Sequence, residues 1–287
     1  MQADFHILPV SASLSAFTAY TADRYVVSLD PVSASRNDGD QLPLYTELAP
    51  WFHLLTAPED YELDARHALD VLSEAIGEPP RTILELGSGG GNSASHMKAH
   101  ATLTLTDLSQ EMLELSRTIN PEVEHVRGDM RTLRLDGRAF DAVFVHDAIS
   151  YQLTEADLRA TFETAFAHLR PGGAAIFEPD ITREAYADAT HQGGHDGTDG
   201  RRLRYLQWRT DPDPNDSWYV DEFAILLHEA DGTSRIAHDV HRLGMFPRAT
   251  WFELLAGAGF ADVRAVPSPY DEQEGVGAES FVGRRPA

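Results

Sequence analysis

The stretch most suggestive of chemistry is residues 83–94, ILELGSGGGNSA, where an apolar run carrying one acidic residue meets a turn of serine and glycine. Glycine allows positive φ angles and lets a ligand approach the main chain closely. A strand that leads into such a turn and then into a helix favours a ligand of the nucleotide type. A triphosphate would require glycine, four residues and then Gly-Lys-Ser/Thr, and this loop has no lysine. A dinucleotide fingerprint would use Gly87 and Gly89 but meets Asn92 in place of its third glycine, so this match is weak.

Three acidic residues narrow the choice of ligand. Glu85 lies two residues before the first glycine, where it would repel a pyrophosphate but suit a ligand that carries an ammonium and a sulfonium. Asp107 ends the next strand and can accept hydrogen bonds from ribose hydroxyls, as NAD-binding proteins also do. Asp129, in GDMR, could contact an adenine amino group. Each acid alone has a structural explanation. Glu85 could be an edge acid, and Asp129 a turn residue. Asp107 could cap the next helix, although Ser109 is the better N-cap. Their joint placement after three successive strands favours a ligand, because open α/β sheets bind ligands there.

The elements that carry these acids alternate between strands and helices. Apolar runs predict strands at 82–86, 101–106, 124–128, 140–146 and 174–178, and the helical segments between them fall at 90–99, 109–118 and 154–169. This alternation predicts right-handed βαβ units in a doubly wound, mostly parallel α/β fold. Residues 1–79 are expected to form an N-terminal extension and a helical cap with two or three short helices.

Residues 80–180 are expected to be the cofactor-binding core, and 181–247 an antiparallel β insert with a hairpin turn at Asp231-Gly232. Residues 248–287 would complete the core with a helix at 248–260 and two strands.

Composition excludes several classes of function. The chain has 287 residues, a formal net charge of −23, a single lysine and no cysteine. So negative a protein is a poor partner for nucleic acid or anionic membranes. Without cysteine it has no disulfides, thiolate zinc sites or cysteine nucleophiles. No basic residue precedes Arg24, so we expect no signal peptide. No apolar run is long enough to span a bilayer, and we expect a cytoplasmic protein.

Five segments together resemble a known family. LELGSGGGNSA, LTDLSQEMLELSR, GDMRTL, FDAVFVHDAISYQLT and LRPGGAAIFEPD are similar, in order and spacing over residues 44 to 284, to the class I S-adenosylmethionine-dependent methyltransferases. The resemblance implies S-adenosylmethionine as cofactor and S-adenosylhomocysteine as product. It also implies a set of cofactor contacts. Glu85, Gly87, Ser88 and Gly89 would hold the methionine portion, and Asp107 would hold the ribose. Leu108, Asp129 and Met130 would lie beside the adenine, and His146 would lie near the transferable methyl group.

The flanking segments are similar to a narrower group. LYTELAPWFHLL, EDYELDA and MFPRATWFELLAGAGF resemble small-molecule methyltransferases, including enzymes that methylate amino groups of deoxyaminosugars. By this resemblance Tyr45, Trp51 and Tyr61 belong to the cap over the cofactor, with Tyr61 nearest its carboxylate. From the residues alone, ordinary aromatic packing explains all three.

The fourth predicted strand ends at His146, so residues 146–151 should line the cleft beside the methyl group. His146 titrates near neutrality and could accept a proton, and Tyr151 is the second catalytic candidate. A neutral amine needs little such help, whereas a hydroxyl acceptor needs a base. The resemblance favours the amine.

The acceptor pocket is expected between 41–61 and 201–245, with four aromatic residues of the insert in it: Tyr205, Trp208, Trp218 and Tyr219. A packed sheet face or a homodimer interface explains these aromatics equally well. His238 and His241 would point to opposite faces of a strand, and HQGGHDGTDG is interpreted as a flexible acidic loop, so no metal site is predicted.

The sequence therefore predicts a methyltransferase acting on a small-molecule acceptor, with an amine expected. Three alternatives stay open: an O-methyltransferase for a hydroxyl acceptor, an NAD(P)-binding oxidoreductase, and a catalytically silent cofactor-binding protein.

Overall fold

A computed structural model describes residues 42–269 and 279–287 of the chain. Residues 1–41, which include most of the predicted N-terminal extension and the segment expected not to be a signal peptide, therefore lie outside the described residues. The strands, in chain order, are β1 (Thr82–Leu86), β2 (Thr102–Asp107), β3 (Glu124–Arg127), β4 (Phe140–His146), β5 (Leu169–Glu178), β6 (Ala189–Gly193), β7 (Arg202–Thr210), β8 (Trp218–His228), β9 (Ser234–Gly244), β10 (Ala261–Pro267) and β11 (Glu279–Arg284). Seven of them form a sheet in the order β10-β11-β5-β4-β1-β2-β3. The first five strands of the chain pair in parallel, and β11 runs antiparallel to both neighbours. The predicted doubly wound, mostly parallel fold is confirmed.

The α-helices are α1 (Phe52–Leu55), α2 (Glu62–Ile76), α3 (Asn92–Met97), α4 (Gln110–Ile119), α5 (Glu155–Ala167) and α6 (Arg248–Gly257). Short 3-10 helices occupy Pro43–Tyr45, Ala49–Trp51, Pro58–Tyr61, Ala148–Tyr151 and Arg183–Ala185. α3 is shorter than the predicted 90–99 because Gly91, with φ +76°, holds the chain out of the helical conformation before it. Ser109 caps α4 as expected, since its Oγ accepts a hydrogen bond from the Met112 amide at 3.1 Å.

Two apolar cores cover the two faces of the large sheet, because successive strand side chains point to opposite sides. Val143 and Phe177 pack with α5 and α6, whereas Ile83, Phe144 and Ile176 pack on the other face with α2 and α3. Both faces of the central strands are thus buried, which leaves the carboxyl ends of the strands as the place where a ligand can meet the sheet.

The predicted insert is a four-stranded antiparallel sheet in the order β6-β7-β8-β9. The hairpin between β8 and β9 turns at Asp231-Gly232 as predicted, with Gly232 at φ +90°. Residues 191–193, expected in a flexible loop, instead lie in β6 and pair with β7, so that expectation was wrong. One face of this sheet packs on the N-terminal cap, where Leu44 and Trp51 meet Ile225. The insert and the cap are therefore fastened to each other above the large sheet.

Within residues 42–269 and 279–287, no helix is both long and apolar enough to cross a membrane. The cytoplasmic location expected from the sequence stays a prediction.

Candidate active site

A cavity of about 900 Å³ lies at the carboxyl ends of the central strands, between the large sheet, the cap and the insert. All ten predicted cofactor contacts line this cavity, and so does Tyr151: Tyr61, Glu85, Gly87, Ser88, Gly89, Asp107, Leu108, Asp129, Met130 and His146. The structure thus brings together residues that are spread over 90 positions of the sequence. Their individual roles toward a cofactor stay predictions.

The glycine turn is held tightly against the end of β2. The amides of Gly87 and Ser88 both donate to the Thr106 carbonyl, at 2.8 and 2.9 Å. Gly87 has φ +75°, and a Cβ on it would lie 2.3 Å from Cβ of Ala148. Because a side chain would have to displace Ala148, the turn needs glycine here for its close approach as well as for its backbone conformation.

Glu85 presents a buried, incompletely satisfied carboxyl group in the cavity wall. The residue is 4 % exposed, and its Oε2 has no hydrogen-bond partner. Burial raises the pKa of Glu85 to about 8; nearby His146 opposes this shift, and Asp107 adds to it. A buried acid with a vacant acceptor fits a cationic ligand group, since a cation would stabilise the ionised form. The ammonium of S-adenosylmethionine has this chemistry.

Asp107 is arranged to accept further hydrogen bonds. Its Oδ2 accepts from the Gly89 amide and its Oδ1 from the Ser109 amide, each at 2.8 Å. Burial raises the pKa of Asp107, although these backbone amides oppose the shift. Each oxygen retains lone pairs beyond the one used, so the two oxygens can accept from the two hydroxyls of a ribose. The residues present therefore fit the cofactor.

Asp129 differs from the other two acids because it already has a strong partner. Arg131 donates to both of its carboxylate oxygens and also contacts Asp157 at 3.1 Å. The Arg131 hydrogen bonds outweigh the opposing effect of burial and lower the pKa of Asp129. Asp129 is thus a fixed, ionised acceptor at the rim of the cavity.

His146 lies between two carboxylates. Its Nδ1 is 2.9 Å from Oε2 of Glu178, and its Nε2 is 3.2 Å from Oδ2 of Asp147. Burial lowers the pKa of His146, but the two carboxylates outweigh burial, and the pKa lies well above its ordinary value. The ring is therefore a cation that donates from both nitrogens near neutral pH. In this arrangement it has no free lone pair with which to accept a proton.

Two further acidic residues line the cavity, Asp147 and Asp180, and the sequence analysis did not identify Asp180. Asp147, with φ +40°, follows β4, and Asp180 follows β5. Burial and the charge of Asp147 raise the pKa of Asp180 to about 7, although Arg209 opposes the shift. The Tyr219 hydroxyl donates to Oδ2 of Asp180 at 3.3 Å. The sequence signal for Asp180 was its position at the end of a parallel strand, like the three acids that were found.

The insert contributes mainly polar groups to the cavity. Of its four predicted pocket aromatics, Tyr205 lines the cavity, whereas Trp208 is 52 % exposed on the outer face of the sheet. Trp218 packs beneath Arg242, and Tyr219 is fully buried, so the expectation fails for three of the four. Six polar side chains of the insert line the cavity instead: His195, Gln207, Arg209, Asp221, His241 and Arg242.

His238 and His241 do point to opposite faces of β9, as predicted. His238 pairs with Glu222 at 2.7 Å, whereas Nδ1 of His241 lies 2.6 Å from the Tyr151 hydroxyl. The described residues contain no cluster of histidines and acids that could hold a metal ion.

Comparison with known proteins identifies the class of this fold and site. Residues 83–173 match the family model of a methyltransferase domain. The chain is 27 % identical over 205 residues to dTDP-3-amino-3,4,6-trideoxy-alpha-D-glucopyranose N,N-dimethyltransferase of Streptomyces venezuelae, covering 70 % of this chain and 84 % of that one.

Two solved structures are also similar. DesVI of Streptomyces venezuelae superposes with a TM-score of 0.73 at 24 % identity, over 85 % of this chain and 98 % of that one. S-adenosylmethionine-bound CalS10, an amino pentose methyltransferase from Micromonospora echinaspora, superposes with a TM-score of 0.66 at 26 % identity, over 78 % and 91 %. Residues 83–173 thus match a methyltransferase domain, and the whole fold resembles that of class I methyltransferases. Together with the site, these findings show an S-adenosylmethionine-dependent methyltransferase, and the oxidoreductase alternative falls away.

Proposed function

We propose that this methyltransferase transfers the methyl group of its cofactor to the amino group of a small amino sugar. The relatives named for amino sugars and an amino pentose support this substrate class. The observation in the molecule itself that carries the proposal is the charge of the cavity wall. Its described lining includes eight acidic side chains and three arginines.

The three arginines and protonated His146 offset only part of this charge, because the eight acidic side chains outnumber these four cations. Arg131 is bound by Asp129 and Asp157, and Arg209 donates twice to Asp221 at 3.1 Å. Arg242 stacks over the ring of Trp218 at 4.9 Å. A cavity with such an excess of carboxylates attracts cations, which supports an acceptor that arrives as an ammonium ion. A neutral sugar hydroxyl would gain nothing from this field.

When bound, the cofactor supplies an electrophilic methyl group on a sulfonium. We infer that Glu85 holds its ammonium, Asp107 its ribose hydroxyls, and Leu108 and Met130 its adenine ring. The chain then has to position the acceptor nitrogen and exclude water, which together can supply a large part of a rate enhancement. Tyr45 and Tyr61 of the cap line the cavity, which supports that role.

The test is S-adenosylhomocysteine formation with three matched sugars. These are the dTDP-amino sugar named for the Streptomyces venezuelae relative, the same amino sugar without its nucleotide, and the analogue with a hydroxyl in place of the amino group. We expect methylation of an amine and none of the hydroxyl analogue. Preferential methylation of the hydroxyl analogue would establish an O-methyltransferase instead. Cofactor binding without transfer to any panel of amines or alcohols would favour the catalytically silent protein.

We further propose a homodimer through the insert. Four large apolar side chains are about half exposed on its outer face: Leu206, Trp208, Leu226 and Ile236. Leu226 and Ile236 are directly paired across β8 and β9, so the patch is continuous there. Exposed apolar patches of this kind are typical of protein–protein contacts, and a second copy would cover this face with a matching one.

A further inference from the structure

Four polar side chains form a continuous path from the cavity wall into the insert. The Tyr45 and Tyr151 hydroxyls lie 2.6 Å apart, and the Tyr151 hydroxyl lies 2.6 Å from Nδ1 of His241. Nε2 of His241 has no hydrogen-bond partner among the described residues, but it lies 3.2 Å from Oδ2 of Asp239, so the last step of the path is an electrostatic contact. His241 and Asp239 are 2 % and 1 % exposed. The cofactor contacts inferred above use none of these four groups.

The partners of the path fix the direction of its hydrogen bonds. Burial raises the pKa of both tyrosines, so both are neutral phenols that can donate. Asp239 accepts backbone hydrogen bonds from Leu44 at 2.8 Å and from Val240 at 2.9 Å, as a carboxylate does. A carboxylate that faces Nε2 favours the proton on that nitrogen and leaves Nδ1 as an acceptor.

It follows that Tyr151 donates to His241 and Tyr45 donates to Tyr151. The Tyr151 oxygen then keeps one lone pair, and Tyr151 lines the cavity. An N–H of the acceptor is the group that this lone pair can receive.

We propose that Tyr151, His241 and Asp239 form a proton relay that converts the acceptor ammonium into the nucleophilic amine. The inference rests on the proposed amine acceptor. One N–H bond of the ammonium breaks and leaves its electron pair on nitrogen, while a new O–H bond forms on Tyr151. The original Tyr151 proton moves to Nδ1 of His241, and Asp239 faces the resulting imidazolium. The proton returns through Tyr151 to water once the product has left, so one proton is released for each methyl group transferred.

The surroundings of His241 contain more acidic than basic side chains. The ionisable and charged groups that face the relay are Tyr45 from the cap; Asp180 from the end of β5; Asp221, opposite His241 in β8, with its partner Arg209; and Asp239 on β9 itself. The ring of Phe223 covers His241 with centroids 5.2 Å apart. These three acids outnumber the single arginine, so the relay crosses a region of net negative charge.

Tyr151 is the catalytic residue of this relay, whereas His241 and Asp239 act through it as positioning residues. The tautomer of His241 tests the arrangement in the protein alone, without any acceptor. In histidine-labelled protein, ¹⁵N NMR should find the proton on Nε2, with the His241→Asn variant identifying the resonance. Tyr151→Phe should shift the Nδ1 resonance because it removes the donor. A proton on Nδ1 would mean that His241 donates to Tyr151, and the relay would be wrong.

The pH dependence of kcat/KM tests the role of His241 in the relay. With the amine that the wild type methylates, His241→Asn should lower kcat/KM by about 10²-fold at pH 7. The loss should shrink to less than about tenfold as the pH approaches the pKa of the amine itself, because solution then supplies the deprotonated acceptor. His238→Asn, on the opposite face of the same strand, is the matched control and should behave like the wild type.

A loss that is equal at every pH would indicate a structural role and contradict the relay. If His241→Asn fails to fold, Tyr151→Phe serves with the same expected pH dependence. If the wild type methylates hydroxyls and not amines, the proposed function fails, and the tautomer measurement still decides the arrangement of the path.

Discussion

Nδ1 of His146 lies 2.9 Å from Oε2 of Glu178, and the two residues are directly paired at the ends of the neighbouring parallel strands β4 and β5. Ser280 donates to the other oxygen of Glu178 at 3.0 Å, so three strands meet at one buried carboxylate. With Asp147 on its second nitrogen, His146 is an electrostatic support of the cavity floor. This arrangement disfavours His146 as a general base and bears directly on the first prediction.

We expect His146→Gln to reduce stability more at pH 6 than at pH 9.5. The pKa of His146 in the folded protein is raised above its unfolded value, so its stabilising contribution is complete below the unfolded pKa and is lost as the pH rises through the folded pKa. Urea unfolding of both proteins at the two pH values measures the difference. A loss of stability in His146→Gln that grows with pH would contradict the assignment of a protonated His146 ring.

Glu85→Gln should have opposite effects on the free and the cofactor-bound protein. The folded pKa of Glu85 is raised to about 8, so the unfolded state loses its proton first and stability falls as the pH rises between the unfolded and folded pKa values. At pH 8 the variant should therefore unfold at a higher temperature than the wild type when no cofactor is present. It should gain much less from added S-adenosylmethionine.

Calorimetry in buffers of different ionisation enthalpy provides the matching measurement for Glu85. Wild-type protein at pH 7 should release roughly one proton on binding S-adenosylmethionine, because the cation favours ionised Glu85. The Glu85→Gln variant should release none. Equal proton release in both proteins would remove Glu85 from the ammonium site.

Asp107→Asn should weaken cofactor binding by about 2 kcal/mol or more, since a charged acceptor for the ribose hydroxyls is lost. Glu122→Gln, an exposed acid that pairs with Lys98, is the control and should bind normally. Titration calorimetry with S-adenosylhomocysteine measures both variants. Unchanged affinity in Asp107→Asn would contradict the ribose assignment.

Gly87→Ala and Gly77→Ala separate two reasons for glycine. Both positions have positive φ, but a Cβ at Gly77 meets nothing within 4 Å, whereas one at Gly87 meets Ala148 at 2.3 Å. Gly77→Ala should cost about 1 kcal/mol of stability from backbone strain alone. Gly87→Ala should cost more and should also abolish cofactor binding in calorimetry. Normal binding by Gly87→Ala would show that the tight turn is dispensable.

Leu226→Glu should convert the proposed dimer into a monomer, because it places a charge within the exposed apolar face of the insert. Analytical ultracentrifugation of the wild type and the variant measures this change. Thr118→Glu, an exposed substitution on α4 far from the insert in sequence, is the control and should leave the assembly unchanged. A monomeric wild type would refute the dimer at once.

The sequence by itself determined the large sheet and the cofactor side of the cavity. Glu85, Asp107 and Asp129 could be placed together because parallel strands align their carboxyl ends at one edge, so chain order already implies neighbourhood. The glycine turn is equally local, since its backbone angles depend on the residues that form it.

Only the tertiary structure decided the acceptor side. His241 and Tyr151 are separated by 90 residues, and no local pattern brings a strand of the insert against the helix after β4. The alternation in β9 does place Asp239 and His241 on one face, but it cannot say what that face meets. For the same reason Trp208 was wrongly expected in the pocket: β7 and β8 carry large apolar side chains on both faces, so hydrophobicity does not reveal which face is buried. Packing against Leu44 and Trp51 of the cap makes that choice, and it is a property of the assembled chain.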